Sequence, residues 1–240
     1  MRMQVFVAGL AMAVTAALGG LATAYEGMAV TDGGSLSGTV KYAGAPPAPE
    51  KFEVTKDQEV CGKEKTKPDL VVGAGGGIQN AVVVVKATKG KALEPVAKNP
   101  VFDQKGCEFH PHVLAFPAGT TLDVLNSDGI LHNVHTLSTV NPPTNQAQPK
   151  FKKQINVKVE KAEWPIKVQC DAHSWMSAFW IAQEHPYYAV TDVSGTFTIK
   201  DIPPGDYEVE VWQEKLGKQT NKVTVKPKEE TKVSWEMKKG

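Results

Sequence analysis

Short runs of alternating or β-branched residues recur along most of the chain after residue 34. Gly and Pro occupy most of the gaps between these runs, for example at 117–119 and 203–205. No segment keeps an apolar period of 3.6 residues for three turns, so long amphipathic helices are not indicated. Short strands separated by turn residues are typical of sandwiches and barrels, and the pattern therefore predicts an all-β fold. The predicted strands are 35–42, 81–87, 113–116, 121–126, 132–137, 154–159, 166–170, 196–199, 207–212, 222–225 and 231–235.

The composition agrees with a folded protein of one or two domains. The chain has 240 residues, of which 41% are hydrophobic and 22% charged, and its formal net charge is +1. These values exclude a disordered or a collagen-like chain. The three cysteines are too few for a small disulfide scaffold or for a four-thiolate zinc or iron–sulfur site. Because three is an odd number, one thiol must stay free, pair between molecules or do chemistry.

The first 24 residues have the pattern of an export signal. Arg2 precedes an apolar run at 5–21, and the run ends in Ala22-Thr23-Ala24, a small-x-small sequence that signal peptidase accepts. A membrane anchor is the alternative, but the small-residue ending and the turn-rich stretch at 25–38 favour cleavage. We therefore expect a Sec-type signal peptide, cleavage after Ala24, a periplasmic or otherwise exported protein, and no stable membrane insertion afterwards.

Cleavage changes the charge of the protein. It removes the only arginine, which leaves 26 lysines against 26 acidic residues and a formally neutral chain. A neutral surface without arginine argues against a nucleic-acid binder. An oxidising compartment also permits a disulfide.

The segment most suggestive of chemistry is Cys170-Asp171-Ala172-His173-Ser174-Trp175-Met176, and upstream, at the start of a predicted strand, lies His132. Taken singly, a buried cysteine is a small apolar residue and a methionine fills gaps in a core. Together, a thiolate and two imidazoles bind copper strongly, and a thioether adds a weak axial contact. Zinc prefers a stronger fourth ligand than a thioether, so the set predicts copper.

Residues 101–182, with this motif and the segment 126–134, resemble the cupredoxins. The Cys–His–Met spacing is similar to that of amicyanin, and 126–134 is similar to the histidine loop of plastocyanin. The resemblance implies a Greek-key sandwich that carries single electrons through one type 1 (blue) copper ion. His132, Cys170 and His173 would be the equatorial ligands and Met176 the axial one. With Cys170 assigned to the metal, Cys61 and Cys107 are left over, and we expect them to form a disulfide in an exported protein.

Two neighbours of the ligands are implicated as well. By the same resemblance, Asn133 would tie the two ligand loops together. Ala172 stands where amicyanin has proline, so it keeps its backbone N–H. We hypothesise that this N–H donates to the Cys170 sulfur and raises the reduction potential.

The flanking segments have a resemblance of their own. Residues 189–199 and 202–209 resemble the second half of a carboxypeptidase regulatory-like domain, a transthyretin-like β-sandwich without catalytic residues, and 36–47 resembles its opening strand. The division implied is a first part of that sandwich at 25–100, a cupredoxin-like domain at 101–182, inserted in or packed on it, and a second part at 183–240.

The function predicted from these features is electron transfer rather than catalysis. The expected partner is a redox protein such as a c-type cytochrome or a copper or quinone enzyme. A copper carrier or sensor with the same ligands is the alternative. A copper enzyme is disfavoured because Met176 fills the axial position. A second metal site at His110, His112 and His135 stays open at this stage.

Overall fold

The structure, a computed structural model, describes residues 25–239, so the predicted signal peptide lies outside the described residues. These residues form twenty strands, one short helix, α1 (Gln58–Cys61), and a 3-10 turn at Ala74–Gly76. The prediction of an all-β fold is confirmed. Within residues 25–239, no helix combines the length and the apolar character needed to cross a bilayer.

The strands follow one another in three groups along the chain. The first group is β1 (Glu26–Gly27), β2 (Gly34–Tyr42), β3 (Lys51–Glu53), β4 (Glu64–Thr66), β5 (Val82–Val85) and β6 (Lys89–Gly90). The second group is β7 (Val101–Lys105), β8 (Glu108–His110), β9 (Val113–Pro117), β10 (Thr120–Asn126), β11 (His132–Thr136), β12 (Asn145–Gln148), β13 (Gln154–Val159), β14 (Glu163–Gln169) and β15 (Ser177–Gln183). The third group is β16 (Tyr188–Val190), β17 (Thr196–Ile202), β18 (Gly205–Gln213), β19 (Gly217–Val225) and β20 (Glu230–Met237).

The second group builds one sandwich, which we call the central sandwich (β7–β15). Its sheets have the strand orders β13–β10–β7–β8 and β12–β11–β14–β15–β9. Strands β10 and β13 alternate strictly between buried and more exposed positions, as strands with one face in a core do. The core between the sheets contains the fully buried Phe102, Phe116, Leu122 and Trp180.

The first and third groups share a second sandwich, which we call the flanking sandwich (β2, β5 and β16–β20). Its sheets have the orders β16–β5–β18–β19 and β17–β2–β20. Strand β2 therefore lies between two strands that follow it by more than 150 residues, antiparallel to β17 and parallel to β20. Strand β5 lies between β16 and β18. The core of this sandwich is apolar and includes Leu36, Ile78 and Val211.

The two sandwiches pack against each other through the outer faces of one sheet from each. Val82 and Val84 of β5 form a cluster with Val113, Ile181 and Trp212. Because the neighbouring valines of β5 face the flanking core, all four residues of this strand are buried. The contact buries both faces of β5 and places the two sandwiches side by side.

Strands β3 and β4 and helix α1 form a small unit over the central sandwich, which we call the cap (residues 51–66). Its two strands pair antiparallel. Val54 and Cys61 join the core of the central sandwich, and a disulfide links Cys61 to Cys107. This part of residues 25–100 thus packs on the central sandwich rather than on the flanking one.

Candidate metal centre

His132 is positioned by the loop that joins β10 to β11. The Asn126 side-chain amide at the start of this loop donates to the backbone oxygens of Ile130 and Gln148, each at 2.8 Å. These two bonds hold the loop against the neighbouring strand β12. His132 follows as the first residue of β11 and its side chain is completely buried.

Cys170, His173 and Met176 lie in the loop that joins β14 to β15. The Met176 N–H donates to the His173 oxygen at 2.9 Å, and the Cys170 N–H donates to the Met176 oxygen at 3.2 Å. These bonds close the seven-residue segment into a tight loop between paired strands. Cys170 and Met176 are each 1% exposed and share the central core, and His173 is fully buried.

The two loops bring the predicted equatorial ligands together. The distance from Cys170 Sγ is 3.9 Å to His132 Nδ1 and 3.9 Å to His173 Nδ1. A metal with bonds of about 2.3 Å to sulfur and about 2.0 Å to nitrogen, in a trigonal arrangement, requires a sulfur–nitrogen separation of about 3.8 Å. The thiol and two imidazoles therefore fit a single metal ion, and their types fit copper.

The protonation properties of this pocket follow from its burial and its charges. Burial alone lowers the pKa of His132, but the Asp128 carboxylate, whose Oδ2 lies 2.9 Å from Nε2, and the Cys170 sulfur raise it to about 9. Burial alone raises the pKa of Cys170, but His132 and the N–H groups of Asn133 and His173 bring it below its usual value. The thiol and the imidazole of His132 thus interact strongly, and a metal ion that binds both must displace their protons.

His173 has a different balance of effects. Burial lowers its pKa, and the Asp57 carboxylate, whose Oδ2 lies 2.8 Å from Nε2, opposes that effect only in part. A lowered pKa favours the neutral imidazole, which is the form that binds a metal.

Asn133 lies where the resemblance places it, between the two loops. Its Oδ1 accepts hydrogen bonds from the N–H groups of Asp171, at 2.6 Å, and Ala172, at 3.3 Å. Its Nδ2 donates to Asn145 Oδ1 and to Asp171 Oδ2. The side chain therefore links the loop of the thiol to β11 and β12.

The hypothesis that the Ala172 N–H donates to the sulfur needs correction. The hydrogen bond recorded for this N–H goes to Asn133 Oδ1, because the asparagine side chain lies between the loops and takes the donor. The bonds that lower the pKa of the thiol come instead from the N–H groups of Asn133 and His173.

The other three histidines of the central sandwich lie apart from one another. His110 is half exposed and bonds to the Lys105 oxygen, and His112 pairs with Glu214 of the flanking sandwich. His135 pairs with Asp171 on the outside of β11. None of the three belongs to a metal-ligand group among residues 25–239.

Three residues of the candidate metal centre were not predicted from the sequence. Asp128 lies four residues before His132, and this spacing was a detectable signal. Trp175 lies within the quoted motif, and its ring centroid is 5.1 Å from that of His173. Asp57 is separated from His173 by 116 residues, and no pattern in the sequence connects the two.

Comparison with protein families gave one match. Residues 161–233 match the family described as polysaccharide lyase family 4, domain II, a span that covers β14, β15 and most of the third group of strands. This description differs from the carboxypeptidase regulatory-like family expected for the flanking segments. No curated protein matches the chain in sequence.

Three solved structures illustrate what parts of this chain are similar to. A Cu-containing nitrite reductase from Thermus scotoductus is 23% identical over 40% of this chain, with a TM-score of 0.34. The match covers 24% of the nitrite reductase, so this chain spans about a quarter of it. An oxidised variant of amicyanin is 18% identical over 42% of this chain and 98% of its own, with a TM-score of 0.32. A purple cupredoxin from Nitrosopumilus maritimus is 16% identical over 35% of this chain and 100% of its own, with a TM-score of 0.31.

Proposed function

We propose that this protein is an exported electron carrier whose central sandwich, of the cupredoxin type, holds one type 1 copper ion. The ligands are His132, Cys170, His173 and Met176. The observation that carries the proposal is the placement of two imidazole Nδ1 atoms at the same distance, 3.9 Å, from one buried thiol sulfur. Three ligand types in the predicted order, in one dry pocket, suit copper better than other metals.

The bound copper supplies one-electron exchange between its two oxidation states. The protein residues supply the fixed surroundings. His132 begins β11, and Cys170 directly follows β14, so two paired strands hold these ligands. Asn133 cross-links the two loops, and burial keeps water away from the sulfur. A site that hardly moves between oxidation states exchanges electrons with little rearrangement.

Met176 and the burial of the pocket argue against a copper enzyme and against a copper carrier or sensor. Met176 would supply the axial ligand of a bound copper ion and would leave no open place for a substrate, so we propose that the protein is not an enzyme. A copper carrier or sensor must take up and release its ion, and four ligands that are at most 1% exposed oppose fast release.

The remaining parts of the chain complete the proposal. The flanking sandwich, which the central one divides, positions the metal centre or docks it to a partner. The partner is a redox protein, such as a c-type cytochrome or a copper or quinone enzyme. The signal at 1–24 directs the chain to the periplasm.

The decisive experiment is the visible and paramagnetic-resonance spectrum of the copper-loaded mature protein. We expect an intense visible band from charge transfer between the thiolate and Cu(II), and its complete loss in Cys170→Ser. Met176→Leu should alter the spectrum, whereas Met237→Leu, at a methionine buried in the flanking core, should leave it unchanged. A colourless protein that binds only Cu(I) would favour the carrier. A protein that binds no copper would refute the proposal.

A further inference from the structure

The cap contributes a residue to the metal centre from outside the central sandwich. His173 Nε2 lies 2.8 Å from Asp57 Oδ2, while Nδ1 of the same ring faces Cys170. Both nitrogens of this imidazole are therefore engaged, one by the thiol and one by a carboxylate. Asp57 lies 44 residues before the central sandwich begins.

The local backbone directs the Asp57 side chain towards the histidine. Asp57 precedes α1 in a left-handed conformation, with φ 52° and ψ 39°, and its carboxylate makes no capping bond to its own helix. An aspartate at the start of a helix usually caps it through such a bond. Here the carboxylate is released from that role and reaches across to His173.

The other end of the helix is fastened to the central sandwich. Cys61 closes α1, its N–H donates to the Asp57 oxygen at 2.9 Å, and its sulfur is bonded to Cys107. Three residues separate Asp57 from this covalent anchor. The disulfide therefore limits how far the carboxylate can move away from His173.

The cap also covers the ring edge of His173 that faces away from the thiol. The side chain of His173 is 0% exposed and that of Asp57 is 30% exposed, so the carboxylate stands between the imidazole and solvent. On another side the indole of Trp175 contacts the ring, and Phe52 of the cap lies next to that indole.

The carboxylates on the two imidazoles differ in their other partners. Asp128, on His132, also accepts hydrogen bonds from the backbone N–H groups of Gly106 and Cys107. These donors partly neutralise its charge. Among the described residues, the side chain of Asp57 has His173 as its hydrogen-bond partner. Asp57 is therefore held in place on the His173 side by this one contact and by the backbone of the cap.

We propose that Asp57 is a positioning residue of the metal centre, which holds His173 with Nδ1 directed at the metal and closes the Nε2 edge of the ring. A hydrogen bond on one ring nitrogen fixes the other as the ligand and makes it more basic. A more basic ligand stabilises Cu(II) more than Cu(I). The inference rests on the proposed copper site, and it makes the cap part of that site.

The test compares the full mature protein with Asp57→Ala and Asp57→Asn. Removal of such a partner commonly lowers metal affinity by about 10- to 100-fold. We expect the Cu(II) affinity to fall by at least about tenfold and the Cu(I) affinity to change less. A tenfold difference between the two corresponds to a rise of about 59 mV in the reduction potential.

Glu59→Gln is the matched control, because Glu59 is an exposed carboxylate on the same helix. It should change either affinity by less than about twofold. If Asp57→Ala keeps the wild-type ratio of Cu(II) to Cu(I) affinity, the inference is refuted while the copper site stands. Thermal unfolding of the metal-free variants shows that they are folded.

A second measurement needs no metal. In the metal-free protein, nitrogen NMR of His173 should show the proton on Nε2, and Asp57→Ala should shift the ring towards a mixture of tautomers. An unchanged tautomer would contradict the positioning role. A wild-type protein without the thiolate–copper band would instead refute the proposed function, so the two failures are distinguishable.

Discussion

The two sandwiches of this protein are alike in architecture and differ in what they bury. Each packs two sheets around apolar side chains such as Leu36 in the flanking core and Leu122 in the central core. Most of the buried polar side chains among residues 25–239 lie in the central sandwich, including His132 and His173. The flanking sandwich buries fewer polar side chains, such as Thr191, whose hydroxyl donates to the Ile78 oxygen at 2.6 Å. The central sandwich also buries the candidate metal ligands.

Two buried glutamines of the central sandwich, Gln104 and Gln148, make hydrogen bonds between neighbouring strands. Gln104 Nε2 donates to Gln148 Oε1 at 2.6 Å, and Gln148 Nε2 donates to the Val124 oxygen at 3.1 Å. A buried polar group without a partner costs about 1–3 kcal/mol, so these bonds prevent a loss of stability. They also tie β7, β10 and β12 together beneath the histidine loop. The comparison shows that a functional core needs polar order in addition to packing.

The largest expected effect is that of metal removal. A ligand present at about 1,000 times its dissociation constant stabilises a fold by about 4 kcal/mol. Stripping copper should therefore reduce hydrogen-exchange protection in β11 and β14 and leave β2 and β18 unaffected. Equal loss of hydrogen-exchange protection in both sandwiches would mean that they unfold as one unit. It would contradict the difference between them.

Loss of the disulfide should come next. Cys61 and Cys107 are 46 residues apart, and closing a loop of this size contributes about 4 kcal/mol by the chain-entropy relation. The double change Cys61→Ser and Cys107→Ser should lower stability by up to this amount in denaturant unfolding. The cap should lose hydrogen-exchange protection first, while β17–β20 keep theirs. A protected cap in this variant would show that noncovalent packing of Val54 is enough to hold it.

A core truncation tests the apolar part of the two sandwiches. Leu36 and Leu122 are both completely buried, so each change to Ala should cost about 3 kcal/mol in chemical denaturation. Leu36→Ala should leave the visible spectrum of the copper-loaded protein unchanged. A much smaller cost for Leu122→Ala would mean that the central core depends less on packing than the flanking one.

A smaller effect is expected where Glu163, the first residue of β14, contacts the loop between β11 and β12. Glu163 accepts hydrogen bonds from the N–H groups of Thr139, at 2.6 Å, and Asn141, at 3.0 Å, and from the Ser138 hydroxyl. Burial opposes its ionisation, but these donors lower its pKa to about 2. Because the pKa is lower in the folded state, the stabilisation is present above the usual value of 4.5 and is lost as the pH falls towards 2.

Glu163→Gln should therefore cost about 2 kcal/mol near neutral pH, from the lost charge-assisted bonds. The difference from the wild type should shrink in unfolding experiments between pH 4.5 and 2. Glu236→Gln, at an exposed carboxylate of β20 in the flanking sandwich, is a suitable comparison and should change stability little at any pH in this range. A pH-independent difference at Glu163 would contradict the assigned cause.

The strands predicted from sequence either bury one face, as β13 does, or are runs of β-branched residues, as β5 is. All eleven predicted runs lie within or overlap observed strands, and β13 has the predicted bounds of 154–159. Strand β15 was not predicted, because its last four residues, from Trp180 to Gln183, are all buried and the period of two disappears. Both of its faces are covered because the flanking sandwich packs on its outer side through Ile181. That packing involves strands more than 25 residues away in sequence.

In the metal centre, too, some features were predicted from the sequence and others depend on tertiary packing. The sequence predicted the types and the order of the four proposed ligands. Cys170, His173 and Met176 lie within one seven-residue segment, and His132 begins a predicted strand. The sequence did not predict Asp57 as part of the site. Its contact with His173 Nε2 depends on a disulfide and a helix that hold it there. The sequence by itself determined the all-β class and the candidate ligand set. Only the tertiary structure decided which side of the ligands is closed, because closure requires contacts between segments that no local pattern relates.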